Sequence, residues 1–478
     1  MDLRKKVLSG LRWNAGAKFL SQLITWSITI IVMRLLSPGD YGLMAMAWVF
    51  IGFLTLLNEL GLGAALIQKQ EINENTLRQT FGMLLLLNFS LFLILLLIAP
   101  LVGYFFNEQR VVAIVRLLSV QFLMMPFSII PQSLLTREMD FKKMSIVEFI
   151  AALSGSGITL WLALKGWGVW SLVWGSMTIL LVRTIGLNLV CPYLSIPIFS
   201  IKGMAPIITF GGYVTVTNIL WFFYTQADIF IIGRLLGKEM LGFYSVAMTL
   251  SCLPMDKTSG IINQVAFPAF SSIQNDPEKI GLYFLKAVRM MSFIAFPLLW
   301  GMSSIAPEVV ATLLGNKWQL AALPFQLLCL VISIRMISNL MSPALLGVGR
   351  PEISFYNVLL ASLVMPICIL VASHWGIVGV SVAWILIFPL IFLCYLFRAA
   401  PVLQIRWVEV LAAMTRPALA AGIMYIIIMA IKTLFRTDVN SISNLVLLIT
   451  VGILVYGGVI ISMNRQGYRE VIGLMLQK

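Results

Sequence analysis

Fourteen stretches, each made of about 20 mainly apolar residues, succeed one another along this 478-residue chain with little between them. They fall at 15–36, 42–66, 80–106, 112–135, 145–164, 168–190, 210–236, 241–269, 287–314, 320–346, 354–373, 376–397, 411–434 and 443–463. An apolar run of that length reads as a helix that crosses a bilayer. The expected fold class is therefore an all-α integral membrane protein of about 14 transmembrane helices. Composition closes off a soluble fold: 60% of the residues are hydrophobic and 11% charged, where soluble domains carry roughly 25% charge.

The connections are short, and the longest strongly polar one is "QKQEINENTLRQ", Gln68 to Gln79. A membrane polymerase or glycosyltransferase would need a sizeable loop or domain with a carboxylate pair, and no loop here holds one. A transporter is expected, not an enzyme. The net charge of +14 would suggest nucleic acid in a soluble chain. In a membrane protein it reflects Lys and Arg retained in cytoplasmic loops, so no nucleic-acid partner is expected. The five cysteines lie in apolar segments without a CxxC pair, and His374 is the single histidine. They point to no disulfide, metal, haem or other cofactor. The basic "MDLRKKVLSGLRW" precedes an apolar run that reads as a retained first span, not as a cleaved signal.

With the N-terminus inside, 23 of the Lys and Arg residues fall in cytoplasmic segments or nearby span ends and 9 on the opposite side. The positive-inside rule then places both termini in the cytoplasm, as expected for a multi-pass protein of the bacterial plasma (inner) membrane. Trp13, Trp167, Trp318 and Trp407 suit an interfacial aromatic belt.

The chain repeats itself. "RLLSPGDYGLMAMA" begins at Arg34 and "RLLGKEMLGFYSVA" at Arg234, with Gly42 and Gly242 at matching places. "GWGVWSLVW" from Gly166 answers to "HWGIVGVSVAW" from His374, and the loops "LLTREMDF" and "LLGVGRPEISF" correspond in position. The repeat unit is six spans, an even number, so both copies cross the membrane in the same sense. Two lobes related by an axis along the membrane normal follow, with a site between them. The expected division is an N-terminal six-helix lobe at 1–190, a linker at 191–209, a second six-helix lobe at 210–398, and two extra helices with a cytoplasmic tail at 399–478. The extra pair is either a peripheral hairpin or a groove for a lipid tail.

Charges inside spans are costly and are functional candidates. In "LPMDKTSGIINQVAFPAF", Lys257 lies about 24 Å along span 8, and Arg335 in "VISIRMISNLMSPALL" lies about 22 Å along span 10. Two cations at one level suit an anionic ligand, with Arg supplying a bidentate fork and Lys a point charge. Pro254 and Gly260 predict a break in the helix around Lys257. The structural alternatives are a local pair between Lys257 and Asp256 or snorkelling, and for Arg335 a grip on carbonyls at a broken helix. Glu59, Glu148 and Asp228 are the acids within spans. Glu59 and Asp228 are candidates for ion coupling, since a carboxyl in a low-dielectric cavity can carry a proton. Glu148 reads instead as a helix-end residue near Lys142 and Lys143. Arg34 and Arg234, recurring at span ends, read as scaffold.

Four stretches, "LNELGLGAALIQKQEI", "DIFIIGRLLG", "VAFPAFSSIQNDPEKI" and "LLGNKW", together resemble the polysaccharide-repeat-unit flippases. These are the O-antigen, colanic acid and teichuronic acid exporters of the MATE-like superfamily. The resemblance covers about residues 1–400. It implies a V-shaped two-lobed transporter working by alternating access. Its substrate would be an undecaprenyl-pyrophosphate-linked oligosaccharide, moved from the cytoplasmic to the outer leaflet for lipopolysaccharide or exopolysaccharide synthesis. The implied partners are that lipid-linked oligosaccharide and membrane lipids, with polysaccharide polymerase and chain-length proteins as further candidates. Relatives often carry a basic residue at the positions of Lys257 and Arg335 and an acid at Glu59. A proton- or sodium-coupled multidrug antiporter of the same fold is the alternative, but such a cavity would want acids where this chain has Lys and Arg. A peptidoglycan-precursor flippase would differ mainly in cargo.

Overall fold

A computed structural model describes residues 22, 24–58, 66, 73–138, 140–199, 205–273, 276–435 and 441–463. Among them every regular element is a helix. In chain order these begin with α1 (Ile24–Leu35), α2 (Pro38–Thr55), α3 (Glu74–Phe106), α4 (Arg110–Ser119) and α5 (Gln121–Arg137). Then come α6 (Phe141–Leu164), α7 (Val169–Val190), α8 (Ala205–Leu235), α9 (Gly237–Ser272) and α10 (Pro277–Ser304). The short α11 (Ala306–Val309) leads through a π turn and a 3-10 turn to α12 (Ala322–Ser338) and α13 (Met341–Gly347). Last come α14 (Pro351–Ala372), α15 (Gly376–Ala399), α16 (Trp407–Phe435) and α17 (Ile442–Met463). Nine segments among the described residues are long and apolar enough to cross a membrane. The longest, Pro351–Ala399, holds two of the expected spans, divided by a 3-10 turn at Ser373–Trp375. The chain is a multi-pass membrane protein.

Three expectations about helix continuity need correction. The break around Lys257 is absent: α9 runs unbroken through Pro254 and Gly260. Proline withdraws one N–H donor, which membrane helices tolerate when hydroxyls serve the local carbonyls. Thr258 does so here, donating to the Pro254 carbonyl at 2.9 Å and the Met255 carbonyl at 3.0 Å. Conversely, the span expected at 112–135 is two helices, α4 and α5, meeting at Val120. That at 320–346 divides at Asn339–Leu340 into α12 and α13.

The described chain forms two compact units, Met1–Gly242 and Phe243–Lys478. Within the first, the repeated hairpin meets itself. A Cβ added to Gly42 would fall 1.7 Å from the Lys238 carbonyl oxygen, and one added to Gly242 would fall 1.8 Å from that of Pro38. Each glycine faces the first turn of the helix that carries the other. The contact is reciprocal, as a two-fold relation between repeat copies demands, and close backbone approach is how small residues join helices in lipid.

Polar groups brace this crossing. Ser37 and Asp40 form a capping box at the start of α2. Asp40 also accepts from the Val169 backbone N–H at 2.9 Å, so one carboxylate caps both α2 and α7. Arg234 donates to the carbonyls of Phe105 at 2.6 Å and Tyr104 at 3.3 Å. It thereby serves the last turn of α3, where carbonyls lack helical partners and a cation suits the dipole. Lys238 pairs with Glu108 at 2.6 Å. Burial alone would raise the Glu108 carboxyl, but the hydrogen bonds from Lys238 and the Arg110 N–H, with their charges, hold it below its ordinary value. Phe50, Phe105, Phe106 and Phe230 interlock edge to face between α2, α3 and α8. The start of the expected linker is strapped to α3: Arg78 donates to the Ile196 carbonyl at 2.8 Å, and Tyr193 meets Phe81 edge-on.

In the second unit α16 lies along α10. Glu308, 1% exposed in its side chain, meets Lys432 of α16 at 2.8 Å, and Lys432 also donates to the Ser304 carbonyl at 3.0 Å. Gln326 donates to the Tyr425 hydroxyl at 2.6 Å, and the Tyr456 hydroxyl of α17 to the Phe293 carbonyl at 3.3 Å. The two extra helices are therefore tied into this unit by buried polar bonds as well as by apolar packing around Met424, Ile428 and Leu448.

Two sets of substitutions follow. Gly42→Ala and Gly242→Ala are each expected to destabilise by about 1–3 kcal/mol, because a backbone carbonyl cannot yield to the added methyl. Gly157→Ala, which meets nothing within 4 Å, is expected to be neutral or to stabilise by up to about 1 kcal/mol. Thermal unfolding in detergent would measure both, and equal behaviour at all three sites would contradict the crossing. Lys432→Met is expected to cost about 3–5 kcal/mol by stranding the Glu308 charge, and the double variant with Glu308→Gln should recover most of that loss. The same measurement on the four proteins checks it, and a double variant no better than Lys432→Met would contradict it.

Candidate functional site

Arg335 sits on α12, about 20 Å along from Ala322 at the helical rise. Helical side chains lean back toward the N-terminus of their own helix, so the guanidinium lies shallower than its Cα. There it meets α15. Its central carbon is 4.6 Å from the centroid of the Trp384 ring and 5.8 Å from that of Phe388. Trp384 is fully buried, Phe388 nearly so, and the two stand one helical turn apart with centroids separated by 6.4 Å. A desolvated guanidinium on an indole face gains up to about 2 kcal/mol. Arg335 is thus held by aromatic faces, and the expected grip on carbonyls at a helix break does not describe it.

Asp256 and Lys257 are exposed on α9. Asp256 lies within the field of two cations, Arg335 and Lys257. The structure therefore brings both sequence-predicted cations into one electrostatic cluster with Asp256 in the second unit. α9 and α12 are tied nearby, where the buried Ser251 hydroxyl donates to the Phe325 carbonyl at 3.5 Å and receives the Cys329 thiol at 3.6 Å.

Beside the cluster is a groove of about 600 Å³. It is lined by Phe296 and Trp300 of α10, by Ile334 of α12, and by Leu411, Met414, Leu419 and Ile426 of α16. Ile334 immediately precedes Arg335, so one turn of α12 shows a cation to one side and an apolar wall to another. Trp300 is fixed by an indole N–H bond to the Ser333 hydroxyl at 3.1 Å.

The acids fall out differently. Asp228 is 2% exposed on α8, and one of its carboxylate oxygens accepts from the Ile229 N–H at 2.9 Å. Glu59 lies outside the described residues. Glu148 does not pair with Lys142 or Lys143. It meets Arg183 of α7 at 2.8 Å, and Arg183 also donates to Gln132 of α5 at 2.9 Å. Lys143 pairs instead with Asp140, and its side-chain hydrogen bond and backbone N–H hold that carboxyl below its ordinary value. Sequence reasoning also missed Glu308, the most buried acid among the described residues. Its cue was available: an acid inside a span-length apolar run, "SSIAPEVVATLL". Trp384 carried no such cue.

Comparison with known proteins agrees with this architecture. The chain is similar to the lipopolysaccharide biosynthesis protein WzxC of Escherichia coli (strain K12), at 27% identity over 81% of this chain and 79% of that one. It is similar to the succinoglycan biosynthesis transport protein ExoT of Rhizobium meliloti (strain 1021), at 25% identity over 96% and 94%. Its fold is that of the lipid II flippase MurJ in an inward closed conformation, with a TM-score of 0.76 at 14% identity over 96% of this chain and 99% of that one. A multidrug resistance MATE family transporter of the MOP superfamily is more distant, with a TM-score of 0.61 at 16% identity over 80% and 96%. Residues 31–323, more than half of the chain, match the family model described as polysaccharide biosynthesis protein, and the chain belongs to that family.

Proposed function

We propose that this protein is a flippase for a lipid-linked oligosaccharide repeat unit, carried on undecaprenyl pyrophosphate, that moves from the cytoplasmic to the outer leaflet for cell-surface polysaccharide synthesis. The observation that carries the proposal is the juxtaposition on α12. The Arg335 cluster offers cations for a pyrophosphate, and the groove beginning at Ile334 offers an apolar bed for the lipid tail. A substrate with an anionic head and a long apolar tail needs both within reach of each other. Family membership supports the reading, as do relatives named for lipopolysaccharide biosynthesis and for transport in succinoglycan biosynthesis. The fold shared with a lipid II flippase supports it further.

In this reading the protein is a transporter, not an enzyme. Fourteen crossings, a six-helix lobe at 1–190, a second at 210–398 and an added pair at 399–478 work by alternating access in the inner membrane, with both termini cytoplasmic. The added pair supplies one wall of the tail groove. Polymerase and chain-length proteins are its candidate partners. Glu59 and Asp228 are its ion-coupling groups. A cationic drug is a poor cargo, because Lys257 and Arg335 would repel it.

The test is transport of a fluorescent undecaprenyl-pyrophosphate oligosaccharide between leaflets of liposomes holding the purified protein. Lys257→Gln and Arg335→Gln are each expected to cut the rate by tenfold or more, the scale of losing a charge-assisted bond worth about 1.5–3 kcal/mol, while the protein stays folded. Full rates in both variants would refute the head-group assignment, and no transport by the parent protein with any glycan would refute the flippase reading. A proton gradient is expected to accelerate the parent protein and not Asp228→Asn, whose rate should match the parent's without a gradient. Equal acceleration of both would remove Asp228 from ion coupling.

A further inference from the structure

Arg335 is held in an unusual way for a cation inside a membrane protein. Its guanidinium rests against aromatic faces, 4.6 Å from the Trp384 centroid and 5.8 Å from that of Phe388. A carboxylate in that place would hold the group by cancelling its charge and engaging its N–H fork. A ring face attracts the cation through its quadrupole and leaves the charge uncancelled. It also meets the planar group from one side, so the five N–H donors, which lie in the guanidinium plane, stay directed along its edges. That orientation suits bidentate recognition of phosphate oxygens.

The support is itself rigid. Trp384 and Phe388 are buried on one face of α15. Trp384 is 0% exposed and Phe388 6%, so neither ring touches a ligand through open surface. By the helical rise, Trp384 stands about 12 Å and Phe388 about 18 Å along from Gly376. The guanidinium, leaning back from a Cα about 20 Å along α12, falls to the level of the two rings.

We infer that Trp384, backed by Phe388, is the positioning residue for the head-group site: its ring face fixes the plane of the Arg335 guanidinium, so that the N–H fork is presented edge-on to a pyrophosphate. The inference rests on the flippase reading and adds a residue that acts through Arg335 and does not contact the substrate.

The experiment is a double-mutant cycle on the full chain in nanodiscs, with geranylgeranyl pyrophosphate as the probe and its dissociation constant as the readout. Trp384→Leu is expected to weaken binding by about tenfold with Arg335 present and by less than about twofold in an Arg335→Gln background. Trp384→Phe, which restores a ring face, is expected to bind within about threefold of the parent. An equal loss in both backgrounds, no loss in either, or Trp384→Phe as weak as Trp384→Leu would each overturn the positioning role. If Trp384→Leu does not fold, Phe388→Leu takes its place in the cycle, with a smaller loss that must again vanish without Arg335. Arg335→Gln binding as tightly as the parent is a separate failure, that of the head-group reading itself.

Discussion

A backbone polar group left unpaired in lipid costs several kcal/mol, and that penalty shapes most of what is seen here. It makes every regular described element a helix. It also explains where the polar side chains of the spans are used. Thr258 serves carbonyls next to Pro254, so that α9 continues where proline would stop a helix in water. Arg234 serves the last carbonyls of α3, and Asp40 an N–H at the start of α7. Side chains that look like scattered charges in the sequence are largely the completion of helix ends.

Packing supplies the second constraint. Lipid offers no hydrophobic drive to bring helices together, so association rests on close contact and polar bonds. The reciprocal fit of Gly42 and Gly242 gives the closest contact open to two helices, backbone against backbone. Because each glycine belongs to one copy of the same hairpin, a single sequence feature, duplicated, generates both halves of its own interface. Elsewhere polar bonds carry this role. Lys432, Glu308 and the Ser304 carbonyl join α16 to α10 and α11 at a depth where no water competes for them.

What was legible in the sequence follows from the range of each signal. Hydropathy is local, so the spans could be read with boundaries a few residues off, and the split into α4 and α5 could not. The repeat was legible because "RLL" and the following glycine recur at a fixed spacing. That the two glycines would touch each other could not be read from either copy alone. Long-range pairing left no trace: Glu148 has Lys142 and Lys143 near it in sequence, yet it pairs with Arg183, because a helix sends Glu148 to a different face from its chain neighbours. For Lys257 and Arg335 the sequence revealed their depth, which depends only on position along a helix. It could not reveal Trp384, an apolar residue among many, whose importance comes only from the cation it faces.

The cluster also bears on how such a site could let go. A transporter that binds its cargo too well does not release it. Arg335, Lys257 and Asp256 together carry a single net positive charge. Two cations at close range repel one another, and the carboxylate offsets that repulsion while the site is empty. When an anionic head group arrives it must compete with Asp256 for the same cations, so part of the attraction is spent on displacing a charge already present. Removal of the head group returns the cations to Asp256 instead of leaving them bare in the membrane. Holding Arg335 by aromatic faces and not by a second carboxylate keeps this exchange centred on one acid. The arrangement trades affinity for reversibility, which a carrier needs more than a receptor does.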